Sequence, residues 1–272
     1  MEIIKSRQNE KVKAVRALHN KKERVEFGMT FFEGFKLLNE YVRAVGTKHR
    51  LRQVFVTKKH FDSVVELFKE TGVSASVELV HVSTDIMSYI SLQASPDGVV
   101  CVIERPSEHK SQSDATPTGT FLVLDRISDP GNLGTIFRTS VAAGYEGIYL
   151  IGCTDPYSPK VFQAVMNVEA MMDVLRIYEI EASVLGEIKN ALREFGRRHI
   201  RLVRADLVGT SVFDYKKDYE KYIYGIVVGS ESHGISEEVC AFCDDVVTIP
   251  MKQVESLNAA IAAGILIFCF IN

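Results

Sequence analysis

From about residue 120 onward, short apolar runs alternate with longer segments of helical period, and few architectures accept that order. FLVLD, GIYLIG, YIYGIVVG and DVVTIP are apolar on both faces of an extended chain and read as buried strands. LGTIFRTSVAAG, SVLGEIKNALREFG and a last segment opening at Ser256 read as helices, with another through VFQAVMNVEAMMD. Further strands are expected near VLRIYEI and at IRLVRAD, and a further helix at ISEEVCAFC. Strands followed by helices over some 150 residues imply an α/β fold with a parallel sheet covered on both faces. In such sheets ligands sit beyond the carboxyl ends of the strands.

The front of the chain is a separate α/β module. LRQVFVT, VELVHVS and GVVCVIE read as strands, and FEGFKLLNEYVRAV, FDSVVELFKETG and TDIMSYISL as helices. NEKVKAVRALHNKKERVEFG reads as one basic helix with a single apolar edge at Val12, Val15 and Leu18. RPSEHKSQSDATPTG has no apolar period and is rich in Ser, Thr and Pro, so it reads as a linker. The expected division is a module over 1–105, a linker over 106–119 and a second domain over 120–272.

Charge is unevenly spread between these parts. Residues 1–60 hold 15 Lys and Arg against 6 Asp and Glu, while the whole chain carries a net charge of −3. A basic module joined to an acidic remainder is the electrostatic footprint of a phosphate-backbone binder, although a solvated helix face produces charge runs as well. The first residues mix charges without an apolar centre, so export is not expected and a cytoplasmic location is. The longest uncharged apolar run, LNAAIAAGILIFCFI, falls short of the roughly 20 residues of a membrane helix and reads as a buried core helix. Five cysteines without a secretory signal favour free thiols. Cys240 and Cys243 form a lone CxxC with no second ligand pair, so no metal site is expected.

Three strand-end loops hold polar residues that folding alone explains poorly. In DRISDPGNLGTIFRTS, Pro130 and Gly131 suit the centre of a type II turn, with Asn132 and Arg138 following. IVVGSESHGISEEV imitates a phosphate-binding glycine loop from Gly229 to Gly234, but Ile235 stands where the lysine belongs, which argues against a nucleotide triphosphatase. Ser236 suits a helix cap there, whereas Glu231 has no evident structural task. In IPMKQVESLNAAIAAG, Ser256 can cap a helix of small residues that permits close approach of backbone or ligand, placing Glu255, Ser256 and Asn258 at the mouth of a crevice.

DPGNLGTIFRT, VVGSESHGIS and IPMKQVESLNAAIAA, in this order and at these separations, resemble the three signature motifs of the SpoU/TrmH methyltransferases of the SPOUT superfamily. The likeness covers about residues 118–271, and the front of the chain resembles the substrate-binding domain of many members more weakly. The resemblance implies a C-terminal deep trefoil knot, S-adenosylmethionine as cofactor, transfer of its methyl group to a ribose 2′-oxygen of ribosomal or transfer RNA, and a homodimer in which one subunit's arginine works beside the other's cofactor. By motif position it implies catalytic roles for Asn132, Arg138, Glu231, Ser256 and Asn258, and cofactor contacts around Gly229, Ile249, Met251 and Leu257. No metal and no membrane are implied.

These residue types suit that chemistry. A sulfonium methyl is already activated, so the protein must align a ribose oxygen with it and help that oxygen lose a proton. Asn132, Ser256 and Asn258 offer directional hydrogen bonds. Arg138, a permanent donor with a pKa above about 12, suits gripping a phosphate and stabilising a developing alkoxide rather than acting as the base. The sequence departs from the family pattern in three places: Ser230 replaces an asparagine, the third motif is one residue short, and Gln163, Val165 and Asn167 stand where family sequences generally show an arginine-alanine-serine and a glycine. These departures keep open an alternative, a SPOUT-fold RNA-binding protein without catalysis.

Overall fold

A computed structural model describes residues 2–44, 50–73, 77–106, 117–166, 175–194, 199–254 and 256–271. They group into two compact units, Met1–Ser107 with Tyr157–Asp173, and Glu108–Pro156 with Val174–Asn272.

The first unit opens with α1 (Glu10–Ala17) and α2 (Lys21–Phe27), followed by β1 (Met29–Glu33) and α3 (Phe35–Arg43). Then come β2 (Leu51–Val56), α4 (Phe61–Thr71), β3 (Glu78–His81), α5 (Thr84–Ile90) and β4 (Val99–Glu104). The single basic helix expected at the start is two helices. Asn20 turns its side chain onto the Lys22 N–H and caps α2, which Gly28 ends in the left-handed region at φ 62°. The helix expected from Phe32 starts only at Phe35, because MTFFE forms β1 and pairs with β4 from Met29↔Glu104 to Glu33↔Val100. Strand order is β1-β4-β2-β3, antiparallel except for β2 with β3. Val12, Val15, Leu18, Ile86 and Ile90 of α1, α5 and the turn after α1 cover one face of this sheet.

Asp97 in this unit accepts hydrogen bonds from the Phe35 N–H (3.0 Å), Lys59 Nζ (2.8 Å) and His60 Nε2 (3.1 Å). Burial pushes its carboxyl up, but Lys59, the Phe35 N–H and His60 together hold it well below the usual range. A depressed folded pKa contributes stability that is present above the unfolded value, about 3.9, and lost as pH falls. Acid titration followed by circular dichroism is therefore expected to show progressive destabilisation below about pH 4, and Asp97→Asn to flatten that dependence.

The second unit contains β5 (Phe121–Asp125), α6 (Pro130–Ala142), β6 (Gly147–Ile151), and, after α7 (Pro159–Val165), β7 (Arg176–Glu179) and α8 (Val184–Glu194). It ends with β8 (His199–Ser211), β9 (Tyr222–Gly229), α9 (Glu237–Cys240), β10 (Asp245–Thr248) and α10 (Ala259–Cys269). All six strands run parallel in the order β10-β8-β9-β5-β6-β7, as the alternating pattern requires. The central strands β5 and β9 are buried along nearly their whole length, which is why FLVLD and YIYGIVVG lack polar alternation. Gly225 has no room for a side chain: a Cβ there would stand 2.4 Å from Leu202 and from the Phe121 ring.

Helix α7 lies between β6 and β7 in sequence but groups with the first unit and packs on β1, whereas the sequence division kept it within 120–272. Thr30 Oγ1 donates to the Tyr157 carbonyl (2.7 Å) and Gln163 Nε2 to the Glu33 carbonyl (3.0 Å). Two of the departures named above thus have structural tasks, since Val165 on the same helix is buried. Asn167, Glu255, most of the linker and the rest of the expected helix through VFQAVMNVEAMMD lie outside the described residues. Among the described residues no helix is long and apolar enough to cross a membrane.

Candidate functional site

Parallel order puts the ends of β5, β9 and β10 on one edge of the sheet, with Asp125 of β5 beside Gly229 of β9. The three motif loops leave from these ends. After β5 the chain does not make the expected type II turn: Pro130 and Gly131 are the first residues of α6. Asp129 caps that helix by accepting the Asn132 N–H (2.8 Å), and Pro130 at its first position gives up an N–H that would have had no partner. After β9, Ser230 and Gly234 exchange two backbone hydrogen bonds, closing a tight loop that holds Glu231 at its tip. After β10 the helix begins at Ala259, and Asn258 rather than Ser256 is its cap, with Oδ1 accepting from Ala260 N (3.0 Å) and Ile261 N (3.3 Å).

Glu231 joins these loops. Its Oε1 accepts from Asn132 Nδ2 (2.7 Å), Asn258 Nδ2 (2.9 Å) and Ala259 N (3.0 Å), and Asn258 Nδ2 also reaches Asn132 Oδ1 (2.9 Å). The network fixes both amide orientations, because each nitrogen donates and each oxygen accepts. A carboxylate oxygen at the start of α10 also meets the positive end of the helix dipole. Glu231 therefore has the structural task that sequence alone did not supply.

Behind this trio lies a cavity of about 450 Å³. Gly229, Glu231, Ile249, Met251, Ser256 and Leu257 all line it. The carboxylate–amide trio thus stands at a pocket that also contains all four residues expected to contact cofactor, with Ser256 on its wall. Arg138 is placed differently. It is exposed on α6, six residues beyond Asn132, or about 9 Å along the helix axis.

Two contributors escape a sequence reading. Ala205, Asp206 and Leu207 form part of the wall because β8 leaves β10 after Arg204↔Val246 and rejoins it at Thr210↔Val247, so five residues loop out toward the cavity. Gly209 marks the return: a Cβ there would stand 2.8 Å from the Val246 carbonyl oxygen. Asp125, buried at the end of β5, accepts the Ser236 N–H through Oδ2 (2.6 Å) and ties the second loop to the first strand. Ser236 precedes α9 but makes no side-chain cap, so Asp125 supplies the anchor expected of it. A carboxylate closing FLVLD was the available signal.

Cys240 and Cys243 are half-buried, and burial pushes the Cys243 thiol up to about 12. The described residues contain no group of three or more His, Cys, Asp and Glu able to hold a metal ion.

Comparison with known proteins gives this geometry a context. The SpoU rRNA Methylase family matches residues 119–268, and the MRM3-like substrate binding domain matches residues 9–101. An uncharacterized tRNA/rRNA methyltransferase of Synechocystis is 30% identical over 97% of the chain and 92% of its own length. The 23S rRNA (guanosine(2553)-2′-O)-methyltransferase RlmP of Bacillus subtilis is 25% identical over 98% of both chains. The structure of an AdoMet-bound rRNA methyltransferase from Sinorhizobium meliloti superposes with a TM-score of 0.77 at 28% identity, covering 98% of this chain and 96% of that one. A family match over more than half of the sequence, with a relative aligned along nearly all of it, establishes that the chain belongs to the SpoU rRNA methylase family.

Proposed function

We propose that the protein transfers a methyl group from S-adenosylmethionine to a ribose 2′-hydroxyl of ribosomal RNA, with transfer RNA as the second candidate substrate. The observation that carries this reading is the Asn132–Glu231–Asn258 network at the cavity behind it. The residues present fit the cofactor. About 450 Å³ is within the range of small-molecule sites, Ile235, Ile249, Met251 and Leu257 offer an apolar bed for a purine, and the Glu231 carboxylate suits a cationic ligand. When bound, S-adenosylmethionine supplies a methyl group already activated on a sulfonium.

The protein's part is then alignment. Glu231 holds the three loops in register, Asn132 and Asn258 fix the cavity edge, and Ser256 offers a hydroxyl to the substrate side. Arg138 grips the RNA phosphate and stabilises the alkoxide that develops as the 2′-hydroxyl loses its proton. The loops belong to a trefoil knot in this reading, and the enzyme works in the cytoplasm.

The decisive test incubates purified protein with labelled donor and with unmodified ribosomal and transfer RNA, then analyses the nucleosides. The expected product is a 2′-O-methyl nucleoside; donor binding without transfer to any RNA would instead support the non-catalytic RNA-binding alternative. A Cβ at Gly229 would stand 2.2 Å from the Gly234 carbonyl oxygen and 2.6 Å from Ile235 N. Gly229→Ala must therefore push the second loop off β9, and calorimetry is expected to show donor affinity reduced at least about tenfold.

The protein also acts as a homodimer in this reading. One face of α10 buries Ala259, Ala263, Leu266 and Ile267, while Ile261 and Phe268 are more than half exposed and Ile265 lies between them. Spacing of four and three puts these three on one stripe, continued by exposed Ile271, and an exposed apolar stripe marks an interaction surface. Phe268→Asp is expected to convert the dimer to monomer in light-scattering chromatography.

A further inference from the structure

Two arginines of the first unit share one aromatic ring. The Arg7 guanidinium lies 4.7 Å and the Arg16 guanidinium 5.1 Å from the Tyr89 ring centroid, so the two cations stand within about 10 Å of each other. Arg16 is held firmly. Its Nη1 donates to the Tyr89 carbonyl (3.1 Å) and to His19 Nδ1 (2.9 Å). His19 can accept there because its Nε2–H is committed to the Ile90 carbonyl (2.7 Å). Its ring also stacks on Phe31 at 5.4 Å, and burial, assisted by the Arg16 and Arg24 charges, lowers its pKa and keeps it neutral.

Every partner of Arg16 is therefore neutral. Among the described residues neither Arg7 nor Arg16 has a carboxylate within 4 Å, although Asp85 stands one turn before Tyr89 on α5. Nε and Nη2 of Arg16 keep their N–H groups unspent on protein acceptors, in the forked arrangement that phosphate oxygens match. Lys13 lies one turn before Arg16 on α1, exposed and without an ion pair. Other exposed cations of this unit do have carboxylate partners, among them Arg43 with Glu70 (2.8 Å) and Lys59 with Asp97 (2.8 Å). A rigid, uncompensated pair of guanidiniums flanked by a third cation costs mutual repulsion that only an anion relieves.

We infer that Arg7, Arg16 and Tyr89 form a clamp for the phosphodiester backbone of the RNA substrate on the α1/α5 face of the first unit. The occupant is RNA because the site offers cations for its phosphates and a ring face for its bases. This inference rests on the proposed function for the presence of an RNA substrate, and it adds where that RNA is gripped.

The test measures binding of the full chain to an unmodified 23S ribosomal RNA transcript by filter retention at several salt concentrations. Arg7→Gln/Arg16→Gln is expected to weaken binding at least about tenfold and to make the slope of log K against log salt shallower by about 2. Donor affinity should be unchanged. Arg7→Gln alone, whose side chain contacts only the ring, should remove about one unit of slope without touching the fold. Arg43→Gln, the control, should leave affinity near wild type. Wild-type affinity and slope in both the double and the Arg7→Gln variants would overturn the clamp, even if methylation proceeds. A wild-type chain that binds RNA through these residues yet methylates none would overturn the proposed activity alone, and a wild-type chain that binds no RNA would overturn both.

Discussion

Arg138→Ala is expected to lower methyl transfer about a thousandfold while leaving donor affinity unchanged, because removing one donor aimed at a developing oxyanion typically costs 10²–10³ in rate. Arg138→Lys should recover little, since a lysine supplies charge without the planar fork. The arginine is exposed on α6, six residues beyond Asn132, and it can act within its own chain or across an interface. Mixing two inactive variants decides this. In a dimer of one Arg138→Ala and one Glu231→Ala subunit, an arginine acting across the interface gives one intact site, and activity returns. An arginine acting within its own chain leaves both sites defective and the mixture inactive. A fully active Arg138→Ala enzyme would remove this residue from the mechanism.

Glu231→Ala carries the second large effect. It withdraws the common acceptor of Asn132 Nδ2, Asn258 Nδ2 and Ala259 N, so the ends of β5, β9 and β10 lose their shared tie. Misplacement of reacting groups by about 1 Å can cost a hundredfold, and kcat/KM is expected to fall by about that factor, with weaker donor binding as well. Glu231→Gln keeps a carbonyl acceptor but gives up the charge-assisted bonds, and its loss should be smaller. Asn258→Ala should resemble Glu231→Ala in direction and also weaken α10, whose cap it is, by about 1 kcal/mol in thermal unfolding. Activity within twofold of wild type for Glu231→Ala would show that the network does not position the site.

Much of the second unit could be read from residues because its strands are buried on both sides. Phe121 to Leu124 and Ile223 to Val228 leave no alternation to confuse strand with surface, and the ligand edge follows from parallel order. The three motif loops could be found for the same reason, as polar groups at the ends of apolar runs. Where the reading missed, local sequence was ambiguous. Pro130–Gly131 fits a turn or a helix start equally, and only the Asp129 side chain on the Asn132 N–H decides for the helix. β1 was hidden because only Gly34 separates MTFFE from FKLLNE, and its partner β4 lies some seventy residues further along the chain. The excursion of β8 was hidden by composition: Leu207 on the cavity wall is apolar yet 61% exposed. No pattern rule anticipates apolar residues placed at the wall of a cavity rather than in a core.

One oxygen atom serves segments that are 99 and 27 residues from it in sequence. None of the three segments can settle before the others, so the binding pocket is expected to assemble in one late step of folding and to open as one unit. Amide exchange at Ala259, whose N–H ends on that oxygen, should report each such opening, and a bound donor should slow it by the same factor throughout the group.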